Sequence, residues 1–137
     1  MSIVLPEGGN VIGAGTDIVD VARIRDAYER HQERFLRRIF TEAEQSYCFG
    51  MKDPFPHLAA RFAAKEAISK AFSTGIGRHL GWKSAAIAKG EREQPIVELD
   101  EQGAALLTEV GGSEVLISLS HTATLGNAVA LVVRNPV

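Results

Sequence analysis

Between Val11 and Val19 small and apolar residues alternate with a period of two. This predicts a strand with Ile12, Ala14, Thr16 and Ile18 on one side and Gly13, Gly15 and Asp17 on the other. Asp17 therefore projects from a glycine-lined face. Asp20 stands at the N-cap position of a helix running to about Gln32 or further. Read as one continuous helix, Ile24, Tyr28, Phe35 and Ile39 form a core-facing stripe. Arg23, Arg30, Arg34 and Arg37 then lie within about 60° of one another and about 120° round from it, facing outward. A break near Gln32 would make this Arg stripe less regular. The run TEAE, with Thr41 and Glu44 three apart, is a capping box that opens a short helix through about Phe49. Pro54 and Pro56 predict an extended loop, and the next helix runs from near His57 to Thr74 and Gly75.

Beyond Trp82 the pattern turns strand-like. Ser84 to Lys89 and Pro95 to Leu99 flank the polar stretch GEREQ as a hairpin, and Asp100 can cap a short helix through Val110 despite Gly103. Glu114 to Ser120 alternates Val115, Ile117 and Leu119 against Leu116 and Ser118, and Asn127 to Arg134 is a second apolar strand, joined to it through HTATLG. The fold class is α+β: helices concentrated in the first half, an antiparallel meander in the second, and a first strand that must join the sheet.

With 137 residues, 45% of them hydrophobic, the chain reads as one globular domain over 11–137 behind a flexible extension at 1–10, without linker or second domain. Cys48, the only cysteine, excludes an intrachain disulfide and sets a reducing, cytoplasmic compartment as the default. The first ten residues lack a basic region of the signal-peptide kind, and no apolar run approaches the roughly 18 residues of a membrane span. A net charge of −2 argues against general nucleic-acid binding. Yet six Arg against Asp26, Glu29 and Glu33 give residues 23–38 a charge of +3, leaving −5 for the rest. That local excess suits either a solvated face or a dock for an acidic partner.

The chemistry concentrates in AAKEAISKAFSTGIG, Ala63 to Gly77. Glu66 and Lys70 are i,i+4 neighbours about 40° apart on a helix face kept thin by Ala59 and Ala63 beside Phe62. Alone the two read equally as an exposed ion pair, and Gly75 and Gly77 as a helix end and tight turn. The glycines follow the lysine, which excludes a P-loop. A phosphate there would face the negative helix pole and would need Lys70, Arg78 or a divalent cation. Asp17 on a strand and Glu66 on a helix are a candidate Mg²⁺ pair, since that ion takes one or two carboxylates plus substrate phosphates. His121, in LSHT, is a loop histidine or a ligand-binding one, and His31, His57 and His79 show no zinc-ligand spacing with it or with Cys48.

Three blocks in order, GTDIVDVARI at Gly15 to Ile24, RFAAKEAISKAFSTGIG at Arg61 to Gly77 and SLSHT at Ser118 to Thr122, resemble the holo-acyl-carrier-protein synthases, the short 4′-phosphopantetheinyl transferases. The likeness runs from Val11 to the C-terminus. The chain departs from the family pattern in two places: Ser73 stands at the first glycine of the usual FGTG, and the usual GKP reads Glu93, Gln94 and Pro95. The resemblance implies a 4′-phosphopantetheinyl transferase-like fold and transfer of the phosphopantetheine arm from coenzyme A to a serine of an acyl carrier protein or carrier domain, releasing adenosine 3′,5′-bisphosphate, in fatty acid biosynthesis. It implies that Asp17 and Glu66 bind Mg²⁺, that Glu66 or a metal-bound water is the base, and that Lys70 balances the diphosphate. It further implies that Arg61, Thr74, Gly75 and Gly77, with Ser120, His121 and Thr122, form the coenzyme A pocket, and that the chain is a homotrimer with sites at subunit boundaries. Carriers of this class are acidic, which gives Arg23, and behind it Arg30, Arg34 and Arg37, a docking role. A Mg²⁺-dependent phosphohydrolase could use the same carboxylates and lysine but would have no need of the Arg stripe.

Overall fold

The computed structural model describes residues 2–136. Met1 and Val137, the outer ends of the two expected segments, lie outside them. Strand β1 (Asn10–Asp20) leads directly into α1 (Val21–His31), α2 (Glu33–Ile39), α3 (Glu42–Phe49) and α4 (Pro54–Ala71). The remainder is β2 (Ala85–Lys89), β3 (Pro95–Leu99), α5 (Glu101–Glu109), β4 (Glu114–His121) and β5 (Leu125–Arg134). The arrangement is α+β, with β1 joined to the sheet as expected. The second half, however, is not one meander. β1, β5 and β4 form one antiparallel sheet in that order, and β2–β3 forms a separate hairpin sheet.

Helix α4 is the centre of the molecule. Alanine at 59, 60, 63, 64, 67 and 71 keeps it thin enough to be buried nearly all round, as an apolar helix must be. It begins earlier than the prolines suggested. Asp53 caps it by accepting the Phe55 N–H at 3.1 Å, and Pro54 and Pro56 sit in the first turn, where a missing N–H removes no helical bond. At its other end the bonds Ser73 N–H to Lys70 O (2.9 Å) and Thr74 N–H to Ser69 O (3.1 Å) close a Schellman motif. The left-handed residue of that motif is therefore Ser73, at φ 62°, and not Gly75.

The Arg-bearing helix does break at Gln32, at φ 48° and ψ −128°. Asp20 occupies the cap position of α1 without a side-chain capping bond; the Val21 N–H instead donates to Thr124 O at 2.8 Å. The TEAE capping box forms in full, and Asp100 Oδ1 caps α5 through the Gly103 N–H at 2.9 Å.

Glu44 does more than cap. Glu44 and Lys65 are each 1% exposed and form an ion pair at 2.9 Å. Lys65 Nζ also donates to the Trp82 and Ala85 carbonyls, both at 2.9 Å, while Glu44 accepts from the Thr41 and Ile87 N–H groups. Every charge in the pair is matched, which is what makes its burial tolerable. The pair ties α3, α4, the Trp82 loop and β2 together.

Both residues that replace a glycine of the family pattern fall on left-handed backbone: Ser73 at φ 62° and Glu93 at φ 62° in the β2–β3 turn. L-residues are strained there and glycine is not, and both side chains are exposed, so no packing is lost by truncation. Ser73→Gly with Glu93→Gly is expected to stabilise the chain by roughly 1 kcal/mol. A higher urea midpoint at unchanged slope is the measurement.

Candidate active site

The site begins with two glycines. A Cβ on Gly13 would collide with the Ala71 carbonyl oxygen, and one on Gly15 with that of Ala67, so only glycine lets α4 lie this close to β1. That approach brings the last turns of α4 against Asp17. Lys70 Nζ donates to Asp17 Oδ1 at 3.2 Å and to the Thr16 carbonyl at 3.0 Å. The ion pair expected between Glu66 and Lys70 is thus replaced by one across elements. Among the described residues the ion pairs are Arg25–Asp53, Lys65–Glu44 and Lys70–Asp17. Asn127 Nδ2 donates to the Asp17 carbonyl at 3.1 Å and holds β1 to β5 at this point.

Glu66 is half-buried beside them. Burial first, and the Asp17 carboxylate second, raise its pKa above the usual 4.5, while Lys70 and Arg23 pull it back. Two carboxylates close enough to repel suit a hard divalent cation that keeps water and takes further oxygens from a substrate. The described residues contain no cluster of three or more His, Cys, Asp or Glu able to hold a metal. This donor set fits Mg²⁺ and not a closed zinc site.

After Lys70 the chain turns through Thr74, Gly75 and Gly77. Gly75 (φ 66°) and Gly77 (φ 156°) border open space, and Thr74 Oγ1 donates to the Gly75 carbonyl at 2.9 Å. Arg78 is exposed in the same loop.

Arg61 and His121 are elsewhere. Arg61 stands nine residues before Lys70 on α4, roughly 13 Å along the helix axis. It is buried under the Tyr47 ring, 4.2 Å from its centroid, and its Nε has no hydrogen-bond partner. The His121 ring lies 4.5 Å from that of His57, and Lys89 Nζ is 5.1 Å from the Tyr47 centroid. Burial, then His121, Arg61 and Lys89, lower the His57 pKa below 6.5 against a smaller opposing effect of Asp53. Arg61, Lys89 and His57 therefore gather around Tyr47, with His121 behind His57. The sequence reading missed His57, Lys89 and Tyr47; the one signal for His57 was its place one turn before Arg61.

Ser120 Oγ donates to Asn127 Oδ1 at 3.3 Å. Thr122 Oγ1 accepts from the Thr124 and Leu125 N–H groups, which makes it the keystone of the β4–β5 turn.

The break at Gln32 reshapes the Arg stripe. With α2 turned back, Arg23, Arg34 and Arg37 line a groove of about 800 Å³ together with Arg38 and His31, over an apolar floor that includes Phe62 and Trp82. Arg30 does not line this groove and borders an adjoining recess with Arg23 and His31, beside Asp20 and Asp26. The Arg23 guanidinium lies 5.2 Å above the Phe62 ring, and Phe62 stacks 4.8 Å from Trp82. Phe62 is one turn before Glu66, so the groove opens next to the carboxylate pair.

Residues 13–125 match the family model described as the 4′-phosphopantetheinyl transferase superfamily, ACPS. The chain is 49% identical over 121 residues to the holo-[acyl-carrier-protein] synthase of Chlamydia muridarum, covering 88% of this chain and 94% of that one. Its fold is similar to the crystal structure of the Neisseria meningitidis holo-[acyl-carrier-protein] synthase, with a TM-score of 0.83 at 31% identity over 90% of this chain and 98% of that one. It is also similar to the Helicobacter pylori enzyme in complex with coenzyme A, with a TM-score of 0.77 at 33% identity over 87% and 98%. A carboxylate pair with a lysine, set where β1 meets α4 in this fold, thus accompanies close likeness over most of the chain, and the chain belongs to the 4′-phosphopantetheinyl transferase superfamily as a holo-[acyl-carrier-protein] synthase.

Proposed function

We propose that the chain transfers 4′-phosphopantetheine from coenzyme A to a serine hydroxyl of an acidic apo acyl carrier protein, in a Mg²⁺-dependent reaction serving fatty acid biosynthesis in the cytoplasm. The observation that carries this reading is the meeting of Asp17, Glu66 and Lys70 across β1 and α4, beside a groove rimmed with arginine. Asp17 and Glu66 would hold Mg²⁺, which when bound supplies charge neutralisation on the diphosphate oxygens. Glu66 has a raised proton affinity and accepts the serine proton as the serine oxygen bonds to the pantetheine-bearing phosphorus. The bond from that phosphorus to the oxygen of adenosine 3′,5′-bisphosphate breaks, and Lys70 donates to the departing phosphate. The turn through Thr74, Gly75 and Gly77 leaves room for the donor beside Lys70.

The carrier docks in the groove of Arg23, Arg34 and Arg37, whose charge meets an acidic helix and whose floor meets its apolar side. Arg61 and His121 serve the donor from a neighbouring copy, because one copy holds Arg61 more than two turns before Lys70 on α4 and sets the His121 ring, at the end of β4, against His57, a further turn back. A homotrimer with interfacial sites suits this division. It also suits the outer face of the β1–β5–β4 sheet, where Ile18 and Val129 are 61% and 38% exposed in line with Leu131 and Leu116. The single transferase domain spans 11–137 behind a short extension.

Release of adenosine 3′,5′-bisphosphate from coenzyme A, followed chromatographically, tests the reaction class. Release is expected only with apo carrier present and in equal amount to carrier consumed. Steady release without carrier would indicate a hydrolase.

A further inference from the structure

We infer that Lys70 is a latch on the Asp17–Glu66 pair: it occupies Asp17 until the donor's diphosphate draws it away, so that Mg²⁺ and coenzyme A bind cooperatively. The inference rests on the metal and donor roles given above and adds an order of events to them.

Lys70 Nζ donates to Asp17 Oδ1 and to the Thr16 carbonyl, so the ammonium sits on a carboxylate oxygen that a cation would need. Mg²⁺ arriving alone would meet both an occupied ligand and a like charge, and would have to expel the lysine into water. The means of expulsion are built in. The Lys70 side chain is 51% exposed, whereas Asp17 is 20% exposed, so it is the lysine that can swing away while the carboxylate stays. Its neighbours on α4, Ala67 and Ala71, are buried against β1 and carry no side chain long enough to restrain it.

A diphosphate beside the Thr74–Gly77 turn changes the balance. It offers the ammonium a new anionic partner one turn further on, which frees Asp17 Oδ1 for the cation. Whatever favour the donor does the cation, the cation returns to the donor, because the coupling is one free energy shared by both sites. Glu66 gains as well, since the cation relieves the repulsion that Asp17 imposes on it.

Calorimetric titration with Mg²⁺, in the absence and presence of coenzyme A and without carrier, tests the latch through binding alone. For the wild-type protein, coenzyme A should tighten Mg²⁺ binding by about tenfold or more, within the usual range of coupling. Lys70→Met should bind Mg²⁺ alone about fivefold more tightly than wild type and lose most of the coupling. Arg23→Gln is the control for mere loss of a nearby positive charge, because Arg23 also acts on Glu66 but does not touch Asp17. It should gain less than half as much. A Lys70→Met protein that binds Mg²⁺ no better than wild type, or gains only as much as Arg23→Gln, overturns the latch. Failure of Mg²⁺ to bind with or without coenzyme A overturns both the latch and the metal reading. Phosphopantetheine transfer in the presence of uncoupled Mg²⁺ binding overturns the latch alone.

Discussion

Glu66→Gln lowers kcat by about 10³-fold, the usual effect of removing a proton acceptor that also neutralises charge, and it does so without loss of stability. The stability half of this expectation follows from the raised pKa. Burial and the Asp17 carboxylate both disfavour ionised Glu66, so the folded state binds its proton more tightly than the unfolded state does. The stability linked to that proton is fully present below the ordinary value of 4.5 and is lost as pH rises through the raised folded value. Gln is a neutral isostere of the protonated form and does not titrate. In Mg²⁺-free buffer the Tm of the variant should therefore equal that of wild type near pH 4 and exceed it at pH 7. Adding Mg²⁺ at pH 7 should raise the wild-type Tm and leave the variant nearly unmoved. Retention of most of the rate would place the metal-binding carboxylate elsewhere, and a lower Tm in Mg²⁺-free buffer at neutral pH would contradict the raised proton affinity of Glu66.

Arg34→Glu with Arg37→Glu raises the apparent KM for the carrier by roughly tenfold or more, with kcat and the KM for coenzyme A within about twofold of wild type. These two arginines line the groove but, unlike Arg23, are not among the charges acting on Glu66, so reversing them separates docking from chemistry. Raising ionic strength should weaken carrier capture by the wild-type protein and have little effect on the double variant, because the attraction being screened is already gone. Arg30→Glu should change the carrier KM far less, since Arg30 does not line the groove. Equal effects of the double variant on both substrates would remove the groove from carrier docking.

The features legible in the sequence were those whose signal is local. TEAE specifies a capping box within four residues, and it forms; the strand around Asp17, the β2–β3 hairpin and the Asp100 cap follow from patterns of similar reach. Local signals also misled where one residue fits two structures. Pro54 opens a helix as readily as it extends a loop, and Asp53 before it was the cue for the helix. Gln32 carries no breaker signature, so the turn that converts a stripe into a groove depends on how α1 and α2 pack.

The site was legible as residue types but not as partners. Helical spacing pairs Lys70 with Glu66, and only the close approach allowed by Gly13 and Gly15 gives it Asp17 instead. The same limit hid the buried Glu44–Lys65 pair, whose members lie 21 positions apart on two helices. It also hid the surroundings of Arg61 and His121, because only the fold buries Arg61 beside Tyr47 and sets the His121 ring against His57.

The central claim is that the Asp17, Glu66 and Lys70 cluster moves phosphopantetheine onto a carrier serine. Its most direct test is the intact mass of an apo acyl carrier protein from the same host after incubation with this protein, coenzyme A and Mg²⁺. The account predicts a gain of one phosphopantetheine group, absent when the acceptor serine is replaced by alanine and absent with the Glu66→Gln enzyme. An unchanged carrier mass while coenzyme A is consumed would contradict it.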